Sequence, residues 1–193
     1  LAGGEGTDWL YGDTGNDTVA GGDGDDWLYA GSGNDLLEGE EGWDTYVFGV
    51  GDGSDTIADA GDNTLFFNFG MGIYDLELFV GSLGIRIRGT GDEIHIAGFD
   101  PDDPYASSAI TRFEYADGQV QTLEEFLSQG FDIAGTSDDD ILIGTALTDH
   151  LNGYAGNDIL IGKAGNDFLS GGTGNDSADG GDGDDQVAGD EGD

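Results

Sequence analysis

The sequence predicts an all-β chain in which two parallel β-rolls flank a small β-rich capping segment with one short helix. Three observations predict it. A nine-residue period rich in glycine and aspartate recurs in two separate blocks. Each period ends in three residues whose middle member is apolar, which suits one very short strand. Between the blocks the pattern changes to alternating apolar residues, as in short strands with one covered face. On this pattern the 193 residues divide into a first roll over 1–62, a capping segment over 63–132, and a second, incomplete roll over 133–193.

Aligned by nine from Gly3, the first block reads GGEGTDWLY, GDTGNDTVA, GGDGDDWLY, AGSGNDLLE and GEEGWDTYV. Position six is aspartate in every unit: Asp8, Asp17, Asp26, Asp35 and Asp44. Position eight is apolar: Leu10, Val19, Leu28, Leu37 and Tyr46. Six residues rich in Gly, Asp and Asn tolerate the positive φ of a tight turn. The last three then form a strand whose eighth position points inward while seven and nine point outward. Two units make one coil with a strand on each wall, so residues 18 apart stack at about 4.8 Å.

After Val47 the period slips. Phe48 and Gly49 are inserted, and GVGDGSDTIAD carries Asp52, Asp55 and Asp59 out of register by two residues. TLFFNF, LELFV, IRIRG, EIHIAGF and ITRFEYADGQV then read as short antiparallel strands turning at GSLG, GTGD and ADG. A helix follows near Thr122–Gln129, opened by a capping box of Thr122 and Glu125. This segment is expected to cap the open end of the first roll, as a stack of repeats requires. Arg86 and Arg88 share a strand face, where they pair with acids such as Glu77 and Glu93 or, alternatively, bind an anion. His95 reads as a solvated or core-edge residue.

The second block, from Gly135, reads GTSDDDILI, GTALTDHLN, GYAGNDILI, GKAGNDFLS, GGTGNDSAD and GGDGDDQVA. Position six is again aspartate: Asp140, Asp149, Asp158, Asp167, Asp176 and Asp185. Position eight carries Leu142, Leu151, Leu160, Leu169, Ala178 and Val187. Position four is glycine in nine of the eleven units, and the exceptions are Asp138 and Leu147. The Asp149 turn is therefore left out of the candidate sites, while Asp138 and Asp139 could add oxygen ligands beside Asp140.

Charge narrows the function. Four basic residues, Arg86, Arg88, Arg112 and Lys163, face 42 acidic ones, for a formal net charge of −38. That field excludes nucleic acid and anionic membrane as partners. No apolar run approaches the roughly 18 residues of a membrane span. Cysteine is absent, so no disulfide or thiolate framework exists. Such acidity suits either a disordered solvating segment or a protein whose positive charge arrives as metal. The placement of the acids decides for metal. Stacking puts Asp8 over Asp26, Asp17 over Asp35, and Asp26 over Asp44. It also puts Asp140, Asp149, Asp158 and Asp167 over Asp158, Asp167, Asp176 and Asp185 respectively. Carboxylates about 4–5 Å apart repel by about 1 kcal/mol in water and about 4 kcal/mol at an effective dielectric near 20. Ca²⁺ suits such columns, because it accepts 6–8 oxygens, carbonyls included, in flexible geometry. Mg²⁺ wants strict octahedral geometry, and zinc wants His or Cys, whereas His95 and His150 lie far apart in sequence. An EF-hand fails for lack of flanking helices and of a twelfth-position Glu; counted from Asp23, Asn34 stands there.

The units match the nonapeptide G-G-x-G-x-D-x-U-x, and the chain resembles the RTX, or haemolysin-type calcium-binding, family. The middle segment, with its FEYADG and TLEEF close, resembles the calcium-binding-related segment that accompanies such repeats. The resemblance implies cages made of carbonyls from positions one to four of two stacked turns plus both position-six carboxylates. In the first array these would be Gly3, Glu5, Gly12, Thr14, Gly21, Gly22, Asp23, Gly24, Gly31 and Gly33 with Asp8, Asp17, Asp26, Asp35 and Asp44. In the second they would be Gly153, Ala155, Gly156, Gly162, Ala164, Gly165, Gly171, Gly172, Thr173, Gly174, Gly181 and Gly183 with Asp140, Asp158, Asp167, Asp176 and Asp185. It implies several Ca²⁺ ions, an extracellular location and type I secretion of an unfolded chain that folds outside.

One inward apolar side chain per nine residues, amid much glycine, is little core to set against ordering entropy and charge repulsion. The arrays are therefore expected to be disordered without metal and ordered in millimolar calcium. No nucleophile–base pair or HExxH motif is present, so no catalysis is expected within these residues. They would be the non-catalytic part of a larger secreted enzyme or, alternatively, an adhesin module. Outward stripes of Trp9, Tyr11, Trp27 and Tyr29, and of Ile141, Ile143, Ile159 and Ile161, mark contact surfaces. They either pack within the protein or offer Trp9 and Trp27, or Ile141 and Ile159, to a carbohydrate or protein partner. The opening LAGGEGTDWLYG shows no signal peptide, and the chain begins and ends inside repeats, as a piece of a longer protein would.

Overall fold

The nonapeptides fold into short strands stacked in parallel on two walls, in a computed structural model that describes residues 1–68, 76–79, 83–106 and 108–190. These fall into two units, one within Leu1–Glu77, Gly81–Asp100 and Pro104–Phe126, the other within Leu78–Val80, Pro101–Asp103 and Leu127–Asp193.

In the first unit the strands are β1 (Ala2–Glu5), β2 (Trp9–Tyr11), β3 (Thr18–Asp23), β4 (Trp27–Tyr29), β5 (Leu36–Glu41), β6 (Thr45–Phe48), β7 (Ser54–Ile57) and β8 (Asn63–Phe67). They continue with β9 (Leu76–Phe79), β10 (Leu83–Ile87), β11 (Glu93–Ile96), β12 (Ile110–Tyr115) and β13 (Val120–Thr122), followed by α1 (Leu123–Leu127). One sheet runs β1-β3-β5-β7-β11-β10-β9 and the other β13-β12-β8-β6-β4-β2. The first coils step by 18, with Trp9 on Trp27 and Thr18 on Leu36. The inserted residues then appear as steps of 20 on one wall, Leu36 on Thr56, and 19 on the other, Thr45 on Thr64.

The roll does not stop where the nonads stop. β8 pairs parallel with β6, β11 parallel with β7, and β12 parallel with β8. β10 on β11 and β13 on β12 are antiparallel, across GTGD and ADG as expected. The reading of this whole stretch as antiparallel is thus corrected. Alternation reports a strand's faces and not its direction, which follows from the long connections between these strands. Part of the expected GSLG turn lies outside the described residues. The capping box forms: Thr122 N–H donates to Glu125 Oε2 (3.0 Å) and Glu125 N–H to Thr122 Oγ1 (3.2 Å). Position eight fills the core, with Val19, Leu28, Leu37 and Tyr46 all fully buried. Phe48, Leu65, Phe67, Ile94 and Phe113 extend it, and Phe126 of α1 stacks on Phe113 at 3.8 Å.

The second unit is a plain roll of β14 (Phe131–Ala134), β15 (Ile141–Ile143), β16 (Asp149–Asn152), β17 (Ile159–Ile161), β18 (Phe168–Ser170), β19 (Ser177–Asp179) and β20 (Gln186–Ala188). The sheets are β14-β16-β18-β20 and β15-β17-β19, parallel throughout. Leu142, Leu151, Leu160 and Leu169 form its core, with Ile133 against them. Ala178 and Val187 were expected inside and are exposed, because β19 and β20 are edge strands and, among the described residues, no further coil stacks beyond them.

Candidate metal sites

The turns between strands bring the predicted aspartates into columns, and the two oxygens of each carboxylate have different surroundings. Oδ1 accepts the backbone N–H of the aspartate one coil earlier. Asp8 donates to Asp26 at 2.8 Å, Asp17 to Asp35 at 2.7 Å, and Asp26 to Asp44 at 2.9 Å. In the second roll Asp140 donates to Asp158, Asp149 to Asp167, Asp158 to Asp176 and Asp167 to Asp185, at 2.8–3.0 Å. Oδ2 is different. In Asp8, Asp26, Asp35, Asp44, Asp158, Asp167 and Asp176 it is buried without a hydrogen-bond partner. Leaving even a neutral acceptor so placed costs about 1–3 kcal/mol, and a charged one more, a cost that a cation or a proton would relieve.

Asp55 belongs to the same series and was missed. It is fully buried, its Oδ1 accepts the Asp35 N–H at 3.0 Å, and its Oδ2 is without a partner. The signal was present but lay 20 residues from Asp35 rather than 18. Burial, then the neighbouring Asp35, Asp52 and Asp92 carboxylates, pushes Asp55 up to about 7. Burial likewise raises Asp44 to about 6.

At Asp8, Asp26, Asp158 and Asp167 the Oδ2 faces backbone. A methyl group placed on Gly3 would lie 2.6 Å from both Asp8 Oδ2 and the Gly21 carbonyl oxygen. The same crowding by a column carboxylate and the next coil's position-one carbonyl occurs at Gly21, Gly153 and Gly162, and also at Gly135 and Gly144 in the Asp140 and Asp149 turns. Carbonyl and carboxylate oxygens thus converge on a cradle that a side chain would fill, and only a hard cation suits so many oxygens. Among the described residues no three acidic or histidine side chains converge, so main-chain oxygens must complete any coordination. Carbonyls at position two of Asp13, Tyr154 and Lys163 also accept N–H groups from position three one coil on, at 2.7–2.9 Å. His95 contacts Glu93 (3.3 Å) and His150 contacts Asp132 (3.1 Å). Arg86 pairs with Glu93 and Arg88 with Glu77, as expected.

Turn conformation divides the eleven units into nine and two. In nine, position two has φ between 68° and 116° and position four between 103° and 152°. Position two does so even where it is Asp13, Glu40, Tyr154 or Lys163, a strained choice for side chains with a Cβ that sequence reasoning did not anticipate. In the other two units, Thr136 and Thr145 at position two and Asp138 and Leu147 at position four avoid positive φ, which a β-branched threonine resists. There the turn points inward differently. Thr136 N–H and Oγ1 donate to Asp140 Oδ2 at 2.7 and 2.9 Å, and Thr145 N–H and Oγ1 to Asp149 Oδ2 at 2.6 and 3.1 Å. Asp140, a predicted ligand, therefore sits on a threonine.

The outward stripes exist as ladders. Trp9 stacks on Trp27 at 4.9 Å and Tyr11 on Tyr29 at 4.5 Å, nearly parallel. Ile141 and Ile159 are both exposed. Trp9 and Tyr11, on the edge strand β2, remain more than half exposed.

The RTX calcium-binding nonapeptide repeat matches four times, over residues 2–37, 20–57, 134–169 and 161–193, together more than half of the chain. A haemolysin-type calcium binding protein related domain matches residues 83–124. Among solved structures, the extracellular lipase LipA from Serratia marcescens is similar over 90% of this chain, at 20% identity and a TM-score of 0.45. This chain spans 29% of that lipase's length. No curated protein matches the chain in sequence. Repeats, parallel rolls and columns of partnerless aspartate oxygens agree, and the chain belongs to the RTX haemolysin-type calcium-binding repeat family.

Proposed function

We propose that this chain is a calcium-driven folding module of a secreted protein, whose rolls are ordered by the ions they hold. The observation that carries this reading is the set of buried Oδ2 atoms without partners. The ligands would be Asp8, Asp17, Asp26, Asp35, Asp44 and Asp55 in the first unit and Asp158, Asp167, Asp176 and Asp185 in the second, completed by turn carbonyls. Bound calcium supplies the positive charge that lets these carboxylates stack, so its binding free energy is folding free energy. In cytosol poor in calcium the chain would stay unfolded and fit for export. In extracellular millimolar calcium it would fold. Any catalytic activity would reside in other parts of the parent protein.

The Asp140 and Asp149 turns are left out of this set. Two threonine donors already satisfy each carboxylate's Oδ2, so these turns close without metal. Counting bound calcium by equilibrium dialysis tests the partition. Asp26→Asn should lower the number of ions bound, whereas Asp140→Asn should leave it unchanged. An unchanged count for Asp26→Asn, or a lowered one for Asp140→Asn, would contradict the assignment.

A further inference from the structure

Asp59 lies outside the nonapeptide pattern and beyond the first roll's matched repeats, which end at residue 57. It nevertheless enters the last cradle of that roll. Leu37 pairs with Ile57, so Asp59 comes opposite Gly39, the place a position-one glycine takes in earlier coils. At Gly3 and Gly21 the next coil presents a glycine carbonyl, 2.6 and 2.7 Å from where a methyl group would sit. At Gly39 that place is taken by Asp59 Oδ2, also at 2.6 Å. Asp44 supplies the opposing oxygen: the residue is 1% exposed and its Oδ2 has no partner. It is also the nearest atom to the same point.

A second exchange explains the first. The residue stacked on Asp44 is Asn63, whose Oδ1 accepts the Asp44 N–H at 2.8 Å, just as column aspartates do elsewhere. A pair of stacked turns otherwise brings two carboxylates together; Asn63 removes one, and Asp59 restores it. Asp59 is held by neighbours. Its Oδ1 accepts the Ala60 N–H at 2.7 Å, and its Oδ2 accepts Asn63 Nδ2–H at 2.9 Å and the Tyr46 hydroxyl. The Tyr46 oxygen in turn accepts the Gly39 N–H at 2.8 Å.

We propose that Asp44 and Asp59 together hold a calcium-type divalent cation at the end of the nonapeptide run, with Tyr46 as the positioning residue. The proposal rests on the reading of the repeats as calcium sites. What sets this cradle apart from the threonine turns is the partnerless Asp44 Oδ2, which calls for the cation. Asp59 Oδ2, though it accepts two hydrogen bonds, is the second hard oxygen there, and an oriented second layer of hydrogen bonds is what metal ligands require.

Calcium counting on the whole chain tests it. Asp59→Asn should bind one ion fewer than the unmodified chain, and adding Asn63→Asp should restore that ion. Tyr46→Phe should keep the count but weaken that one site by about 10- to 100-fold, an effect a merely structural tyrosine would not confine to one site. If Asp59→Asn keeps the full count and affinity while Asp26→Asn loses an ion, Asp59 is no ligand and the general reading survives. If the unmodified chain binds no calcium, the general reading itself fails. Should Asp59→Asn not fold, a crystal structure of the unmodified chain with calcium decides. An ion about 2.3–2.6 Å from both carboxylates supports the proposal, and an ion on Asp44 with Asp59 turned away overturns it.

Discussion

At the scale of single residues, the turn chemistry depends on what sits opposite an aspartate Oδ2. Where threonine stands at position two, the carboxylate accepts hydrogen bonds from within its own turn. Thr145 is fully buried, so Thr145→Ala should cost about 1 kcal/mol of stability in saturating calcium without changing the number of ions bound. Urea unfolding together with ion counting checks both halves. The partnerless carboxylates predict a pH response. Burial pushes Asp55 up to about 7 and Asp44 and Asp52 up to about 6, against about 3.9 for a free aspartate. A folded, metal-free chain thus retains protons that an unfolded chain has released. Its stability is highest below about pH 4 and falls as pH rises toward 7. Calcium-stripped protein should therefore gain β signal in circular dichroism between pH 7 and pH 5. Calcium affinity should fall over the same range, because ions bind ionised carboxylates. A loss of structure on acidifying stripped protein would contradict the sign.

At the scale of elements, each nonad offers one inward side chain, and its neighbours above and below complete its burial. Leu28 lies between coils and is fully buried, whereas Leu10, in the edge strand β2, retains 7% exposure. Leu28→Ala should cost about 2–5 kcal/mol and Leu10→Ala less, as measured by unfolding midpoints in calcium. The nonads were legible because glycine, aspartate and an apolar residue recur at fixed places, and spacing alone yields the columns. What escaped was the continuation of the roll through β8, β11 and β12. Strands such as Ile110–Tyr115 alternate identically whether their neighbour runs parallel or antiparallel, and the offsets of 39 and 48 residues, Asp55 to Ile94 and Leu65 to Phe113, leave no periodic trace. Asp55 and Asp59 escaped for the same reason, since inserted residues moved them off the period while the turns kept them in place.

At the scale of the whole molecule, a formal charge of −38 opposes compaction unless cations reside among the acids. The two units should differ in their dependence on calcium. The first contains an apolar core beyond the nonads, with Phe67, Phe113 and Phe126 fully buried, whereas the roll of the second relies on four leucines over residues 142–169, its other fully buried apolar side chains, Leu127 and Phe131, lying before them. Native-state hydrogen exchange during calcium depletion should therefore expose amides of residues 141–188 before those of 110–126. Uniform exchange in both would contradict this ranking. The most direct test of calcium as the missing structural charge is far-UV circular dichroism of the whole chain, recorded in chelator at neutral pH and again after millimolar calcium is restored. The account predicts a largely unordered spectrum that converts reversibly to β structure when calcium returns. A full β spectrum that persists in chelator would contradict it.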